Sequence, residues 1–173
     1  MSQVLDTMRT RRSIRRFRAD MVPREILEQV MEAGTYAASG RGSQSPVIIA
    51  VTNREIRDKL SRANAAVMGT DTDPFYGAPV ILIVLADKAW PTHVYDGSLV
   101  MGNLMLAAHD RGLGSCWIHR AKEVFQQPEW KAWLASLGLE GEYEGIGHCA
   151  IGYVDGTYPE TPPRKGNRIY FAE

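Results

Sequence analysis

Residues 92–111 have a helical pattern and almost no polar side. At 1.5 Å per residue such a helix would be roughly 30 Å long. Val94, Leu99, Val100, Met101, Leu104, Met105 and Leu106 wrap most of the way round it. A helix that is apolar nearly all round must be covered nearly all round. A chain of 173 residues fits one domain and can hide roughly 70% of its unfolded surface. Covering this helix is easier if a second subunit contributes. The pattern therefore fits one domain, residues 1–173, with a second subunit covering part of this helix.

The rest of the chain alternates helical and strand patterns. Val4, Leu5 and Met8 predict an amphipathic helix over 2–11. Pro23 precedes Ile26, Leu27, Val30 and Met31, a second helix ending near Gly34. Residues 37–46 are rich in Gly and Ser and read as a loop. Residues 47–51 are apolar and β-branched, which predicts a buried strand. Asn53 can cap a helix running to Met68, with Ile56, Leu60, Ala63 and Val67 on its apolar face. Residues 80–85 (VILIVL) predict a central strand covered on both faces. Further strands are predicted at 115–118 and 146–153, with a helix over 121–137 broken at Pro128. About four strands and five helices result, an α+β chain. The tail, 154–173, has three prolines and no helical pattern. A structureless stretch of that length is uncommon in a compact domain, and wrapping a partner subunit would account for it.

Twenty basic and twenty acidic residues cancel. Nucleic-acid binders usually carry a basic surplus, so that class is disfavoured. The positive charge is nonetheless local. Arg9, Arg11, Arg12, Arg15, Arg16 and Arg18 fall within ten residues, which suggests a compact anionic ligand. Cys116 and Cys149 form no metal-like or disulfide spacing and read as reduced, buried thiols of a cytoplasmic protein. The histidines show no paired metal spacing, so no metal site is expected. The opening residues have no apolar signal core. The longest apolar run, 78–86, falls well short of the ~20 residues of a spanning helix, so no membrane is expected.

Four clusters can carry chemistry. In RRSIRRF (11–17), guanidinium forks match phosphate and each charge-assisted bond is worth roughly 1.5–3 kcal/mol. The same spacing suits a solvated basic face. In AASGRGSQSP (37–46), glycines allow close backbone approach to a ligand. This is not a nucleotide P-loop, because no Gly-Lys-Ser/Thr ends it; a surface connection reads equally well. In SCWIHRA (115–121), a strand end meets a helix start, where a ligand can lie against backbone. His119 there suits either a proton donor or a surface histidine. PRKGNR (163–168) adds cations that suit a ligand or a solubilising tail.

Taken in order, RRSIRRF at 11–17, AASGRGSQSPVIIAVTN at 37–53, DGSLVMGNLMLAAHDRGLGSCWI at 96–118, GIGHCAIGY at 145–153 and the basic tail resemble the FMN-dependent nitroreductase family. The resemblance implies a mixed central β-sheet flanked by helices. It implies a homodimer with FMN at the subunit interface and an extended C-terminal tail. By that resemblance Arg11, Arg12, Ser13 and Arg15 are FMN contacts, Arg11 and Ser13 at the phosphate and ribityl end and Arg15 near the pyrimidine edge. Ser39, Gly42 and Gln44 would come from the other subunit. The backbone of Trp117, Ile118, His119 and Arg120 would lie along the flavin. Lys165 and Arg168 would reach the phosphate, with Arg164 competing. The implied reaction moves hydride from NADH or NADPH through flavin N5 to a nitroaromatic, quinone or flavin, in ping-pong order, with no catalytic side chain. A flavin carrier or sensor with little turnover is the alternative. Gly42 stands where many relatives have Asn, and His119-Arg120 where many have a smaller or acidic pair. The chain is also shorter than the better-known nitroreductases.

Overall fold

In the computed structural model, residues 2–173 are described. Two helices open the chain, α1 (Gln3–Thr10) and α2 (Arg24–Thr35). They are followed by β1 (Pro46–Val51), α3 (Arg54–Met68), β2 (Val80–Asp87) and α4 (His93–Asp110). Strand β3 (Gly114–Ile118), helices α5 (Ala121–Phe125) and α6 (Pro128–Ser136), and strand β4 (Tyr143–Gly152) complete the order. Pro128 opens α6, where its missing N–H costs nothing, and the predicted break at this residue separates α5 from α6. The side chain of Asn53 accepts from Ile56 N at 3.1 Å and caps α3 as expected. The tail after Val154 has no regular element.

The sheet order is β1-β2-β4-β3, and every neighbouring pair is antiparallel. The mixed sheet implied by the resemblance is therefore corrected. Strands β2 and β3 run the same way, joined across α4, but the last strand inserts between them and reverses each neighbour relation. The parallel contact among the described residues is a single bridge, Ser13 to Ser115.

Alternation along β2 explains its unbroken apolar run. Val80, Leu82, Val84 and Ala86 face one core, with Leu27 and Val30 of α2 and Val100, Met101 and Leu104 of α4. Ile81, Ile83 and Leu85 face the other, with Leu60 of α3, Phe125 of α5 and Trp130 of α6. The molecule is thus three layers, with helices on both faces of the sheet. Strand β1 lies at its edge and is mostly half-buried, with only Val51 fully covered, so the predicted buried strand is also corrected. The predicted face of α3 shifts as well. Its covered side is Arg57, Leu60, Ser61, Asn64 and Ala65, while Val67 is exposed. On α4, Val100, Met101, Leu104 and Ala108 pack inward, and Val94, Tyr95 and Leu99 stay exposed within the single chain. Both cysteines are free and buried. No helix among the described residues is long and apolar enough to cross a membrane.

Candidate functional site

The arginine segment leaves α1 and lies along β3. Ile14 N donates to Ser115 O at 2.9 Å, and Ser13 bridges Ser115. Gly114 makes this approach possible, because a Cβ there would stand 2.8–2.9 Å from three Ile14 side-chain atoms. Two of the sequence clusters are thereby brought together. Arg15, Trp117, Ile118, His119 and Arg120 line one cavity of about 270 Å³ with Tyr76. The Arg15 guanidinium sits 5.9 Å from the centre of the Tyr76 ring. A neighbouring cavity of about 420 Å³ is lined by Ser13, Arg15 and Arg16 on one side and 154–159 on the other.

Charge is uneven round this cleft. Elsewhere Arg18, Arg24, Arg54 and Arg57 pair with carboxylates. Among the described residues, Arg11, Arg12, Arg15 and Arg120 pair with none. Arg11 Nη1 and Arg12 Nε are buried without a hydrogen-bond partner, and so is Ser115 Oγ. Leaving such donors unpaired costs about 1–3 kcal/mol each, more for a charged group. An anionic ligand would remove that cost. The rest of Arg12 is engaged by the protein: its guanidinium donates to Arg9 O and, at 2.7 Å, to Thr161 Oγ1.

A directed hydrogen-bond chain fixes this end of the site. Arg12 N donates to the Tyr158 hydroxyl at 2.9 Å, and that hydroxyl lies 3.0 Å from His109 Nδ1. The other ring nitrogen, Nε2, is 2.8 Å from Thr10 Oγ1, which itself donates to Asp6 O. Thr10 must then accept from Nε2–H, so Nδ1 accepts from Tyr158. Burial, with Arg11 and Arg12 nearby, lowers the pKa of His109 and keeps it neutral.

The far wall is held by Asn64, fully buried on α3. Asn64 Nδ2 donates to His119 O at 2.8 Å, and Asn64 Oδ1 accepts from Arg120 Nε at 3.0 Å. Beneath it lies His148, whose Nδ1 is 3.4 Å from Asn64 Nδ2. His148 is enclosed by Phe75 and Phe125, with ring centres at 5.2 and 5.9 Å. Burial pushes its pKa down to about 3, helped by the Arg120 charge.

The remaining clusters stand apart from this cleft within the chain. Loop 39–44 is tied to α4 instead. Asp96, buried, accepts from Gly40 N at 3.0 Å, Ser43 Oγ at 3.4 Å and Thr92 Oγ1 at 2.9 Å. Gln44 N donates to Ser39 Oγ, and Gly42 is exposed with a left-handed backbone. Arg164, Lys165 and Arg168 are exposed on the tail. Asn64, His148, Asp96 and the His109–Tyr158 pair carry no signal in their local sequence. Only the periodicity of α3, with Asn64 one turn after the buried Leu60 and Ser61, hints at one of them.

Comparison with known proteins bears on the family and the fold. Over 159 residues, 88% of this chain and 86% of the relative, the chain is 30% identical to a protein of Archaeoglobus fulgidus provisionally named NADH dehydrogenase/NAD(P)H nitroreductase. It is 33% identical over 122 residues, 66% of this chain, to a protein of the same name from Methanothermobacter thermautotrophicus. That match takes in only 59% of the relative's own length. The FMN-bound nitroreductase of Bacteroides fragilis superposes with a TM-score of 0.90 at 28% identity, over the whole of both chains. Residues 8–70 and 66–153 match the nitroreductase family profile, and the chain belongs to the nitroreductase family.

Proposed function

We propose that this protein is an NAD(P)H-dependent FMN oxidoreductase that reduces a small molecule and works as a homodimer. The observation that carries this reading is the set of unpaired buried donors at Arg11, Arg12 and Ser115, next in the chain to a cleft where Arg16 pairs with Asp155 but Arg15 and Arg120 have no acidic partner among the described residues. These residues fit a dianionic phosphate joined to a planar ring. The FMN-bound relative of the same fold, at 28% identity, supports that choice of ligand.

Arg11, Arg12 and Ser13 would hold the phosphate and ribityl end. Arg15 would face the pyrimidine edge, where a cation favours the negative charge of the reduced ring. The backbone of 117–120 would lie along the ring. When bound, FMN supplies the electron transfer at its ring N5, and the protein supplies binding, orientation and charge. Each role of this chain is positional, so no side chain is assigned as acid, base or nucleophile.

The second subunit would complete the site. Ser39, Gly42 and Gln44 lie away from the cleft of their own chain and would reach the cleft of the partner. Lys165 and Arg168 would add to the phosphate end. The exposed Val94, Tyr95 and Leu99 of α4, and Ile169, Tyr170 and Phe171 of the tail, give the pair its apolar contact.

Steady-state oxidation of NADH and NADPH with a quinone or a nitroaromatic acceptor tests the reading. Parallel double-reciprocal lines, the mark of a ping-pong order, are expected. A flavin-loaded protein with no turnover would point instead to a carrier.

A further inference from the structure

The phosphate and ring edge account for Arg11, Arg12 and Arg15, but leave the side chain of Arg120 unassigned. Its backbone is left-handed (φ 73°, ψ 12°), a conformation that residues with a Cβ rarely adopt. Such a residue persists where its surroundings hold it, often at a ligand site. Here the holder is Asn64. One side-chain amide takes the carbonyl of His119 at 2.8 Å and Arg120 Nε at 3.0 Å. A carbonyl can only accept and a guanidinium can only donate, so the two partners fix which way the amide points. The terminal amines of Arg120 have no partner among the described residues, and Arg120 lines the same cavity as Arg15, Trp117 and Tyr76.

The charge balance of that cavity is positive. The one carboxylate on its wall, Asp73, is used up by Arg57, by Ser61 Oγ at 2.7 Å, and by the N–H groups of Phe75 and Gly77 at 3.0 and 2.8 Å. No acid pairs with Arg120 or Arg15 among the described residues.

We infer that Arg120, held in place by Asn64, is a specificity determinant that selects planar aromatic acceptors bearing a carboxylate or similar anion. A guanidinium fork matches a carboxylate with two parallel bonds, and the flavin ring proposed for this cavity would offer a flat face on which an aromatic acceptor stacks. Arg120 would contact the acceptor, whereas Asn64 is a positioning residue acting through it. This inference rests on the FMN reading above.

The test is calorimetric titration of the FMN-loaded protein, without reductant, against benzoate and its neutral isostere benzamide. Benzoate is expected to bind at least tenfold more tightly. Arg120→Gln should reduce that ratio to below threefold, Arg120→Lys should keep part of it, and Asn64→Leu should lower it with the flavin still bound. Equal affinities in the parent protein, or a ratio untouched by Arg120→Gln, would overturn the inference alone. A protein that takes up no FMN would overturn the reading beneath it. Should Asn64→Leu fail to fold, the Arg120 pair still decides the matter.

Discussion

Single side chains in this protein are read best through what they lack. Arg11 keeps a buried donor with no partner, so Arg11→Ala should weaken FMN binding by roughly 10- to 100-fold, the loss of one charge-assisted bond; fluorescence titration of flavin measures it. Arg15→Ala should lower the FMN midpoint potential. About 1.4 kcal/mol corresponds to about 30 mV in a two-electron couple, and solvent screening of this exposed side chain keeps the shift to some tens of millivolts. An unchanged potential would remove Arg15 from that role. His148 has a different consequence. Its folded pKa is depressed to about 3, so the unfolded chain binds a proton that the fold refuses. Its contribution to stability is whole above the ordinary histidine value of about 6.5 and shrinks as pH falls towards 3, by up to roughly 1.4 kcal/mol per pH unit. His109 acts in the same sense. Urea unfolding between pH 6.5 and 4 should therefore show a flatter slope in His148→Leu than in the parent. The arginines could be picked out from the sequence by type and spacing. Asn64 and His148 could not, because a buried polar residue reads as a surface one until its partners, far along the chain, are in place.

Elements show the same division between local and distant causes. The length of α4, the two-sided burial of β2, the cap at Asn53 and the break at Pro128 follow from nearby residues and are legible in order along the chain. The sense of the sheet is not, because it depends on where β4, the last strand, inserts. The edge position of β1 and the polar inner face of α3 depend likewise on neighbours supplied by other segments. The contact of the arginine segment with β3 is the element-level feature on which the site depends, and Gly114 sets its closeness. Gly114→Ala should push Ile14 away and cost about 1–3 kcal/mol of stability, as overpacking does. FMN affinity should fall with it, because Ser13 and Arg15 flank the displaced residue. Thermal melts with and without added FMN would show both effects, and a variant that melts and binds like the parent would mean that the segment is not held by this contact.

At the scale of the whole molecule, a neutral chain keeps Arg11, Arg12, Arg15 and Arg120 without acidic partners among the described residues and leaves apolar residues exposed on α1, α4 and the tail. Val4, Leu5 and Met8 join Val94 and Leu99 in that exposed set. Loop 39–44 is tied to Asp96 on α4 and lines neither cavity of its own chain; on the proposed reading it serves a second subunit, so sedimentation at micromolar concentration should give the mass of two chains. The all-round apolar pattern of 92–111 raises the same expectation from the sequence, and Val94, Tyr95 and Leu99 of that helix are exposed in the single chain. Everything else here depends on whether the guanidinium cluster holds a flavin phosphate. Protein purified in the presence of excess FMN and then gel-filtered should be yellow, and acid should release FMN at close to one per chain. A colourless protein after that treatment would contradict the account.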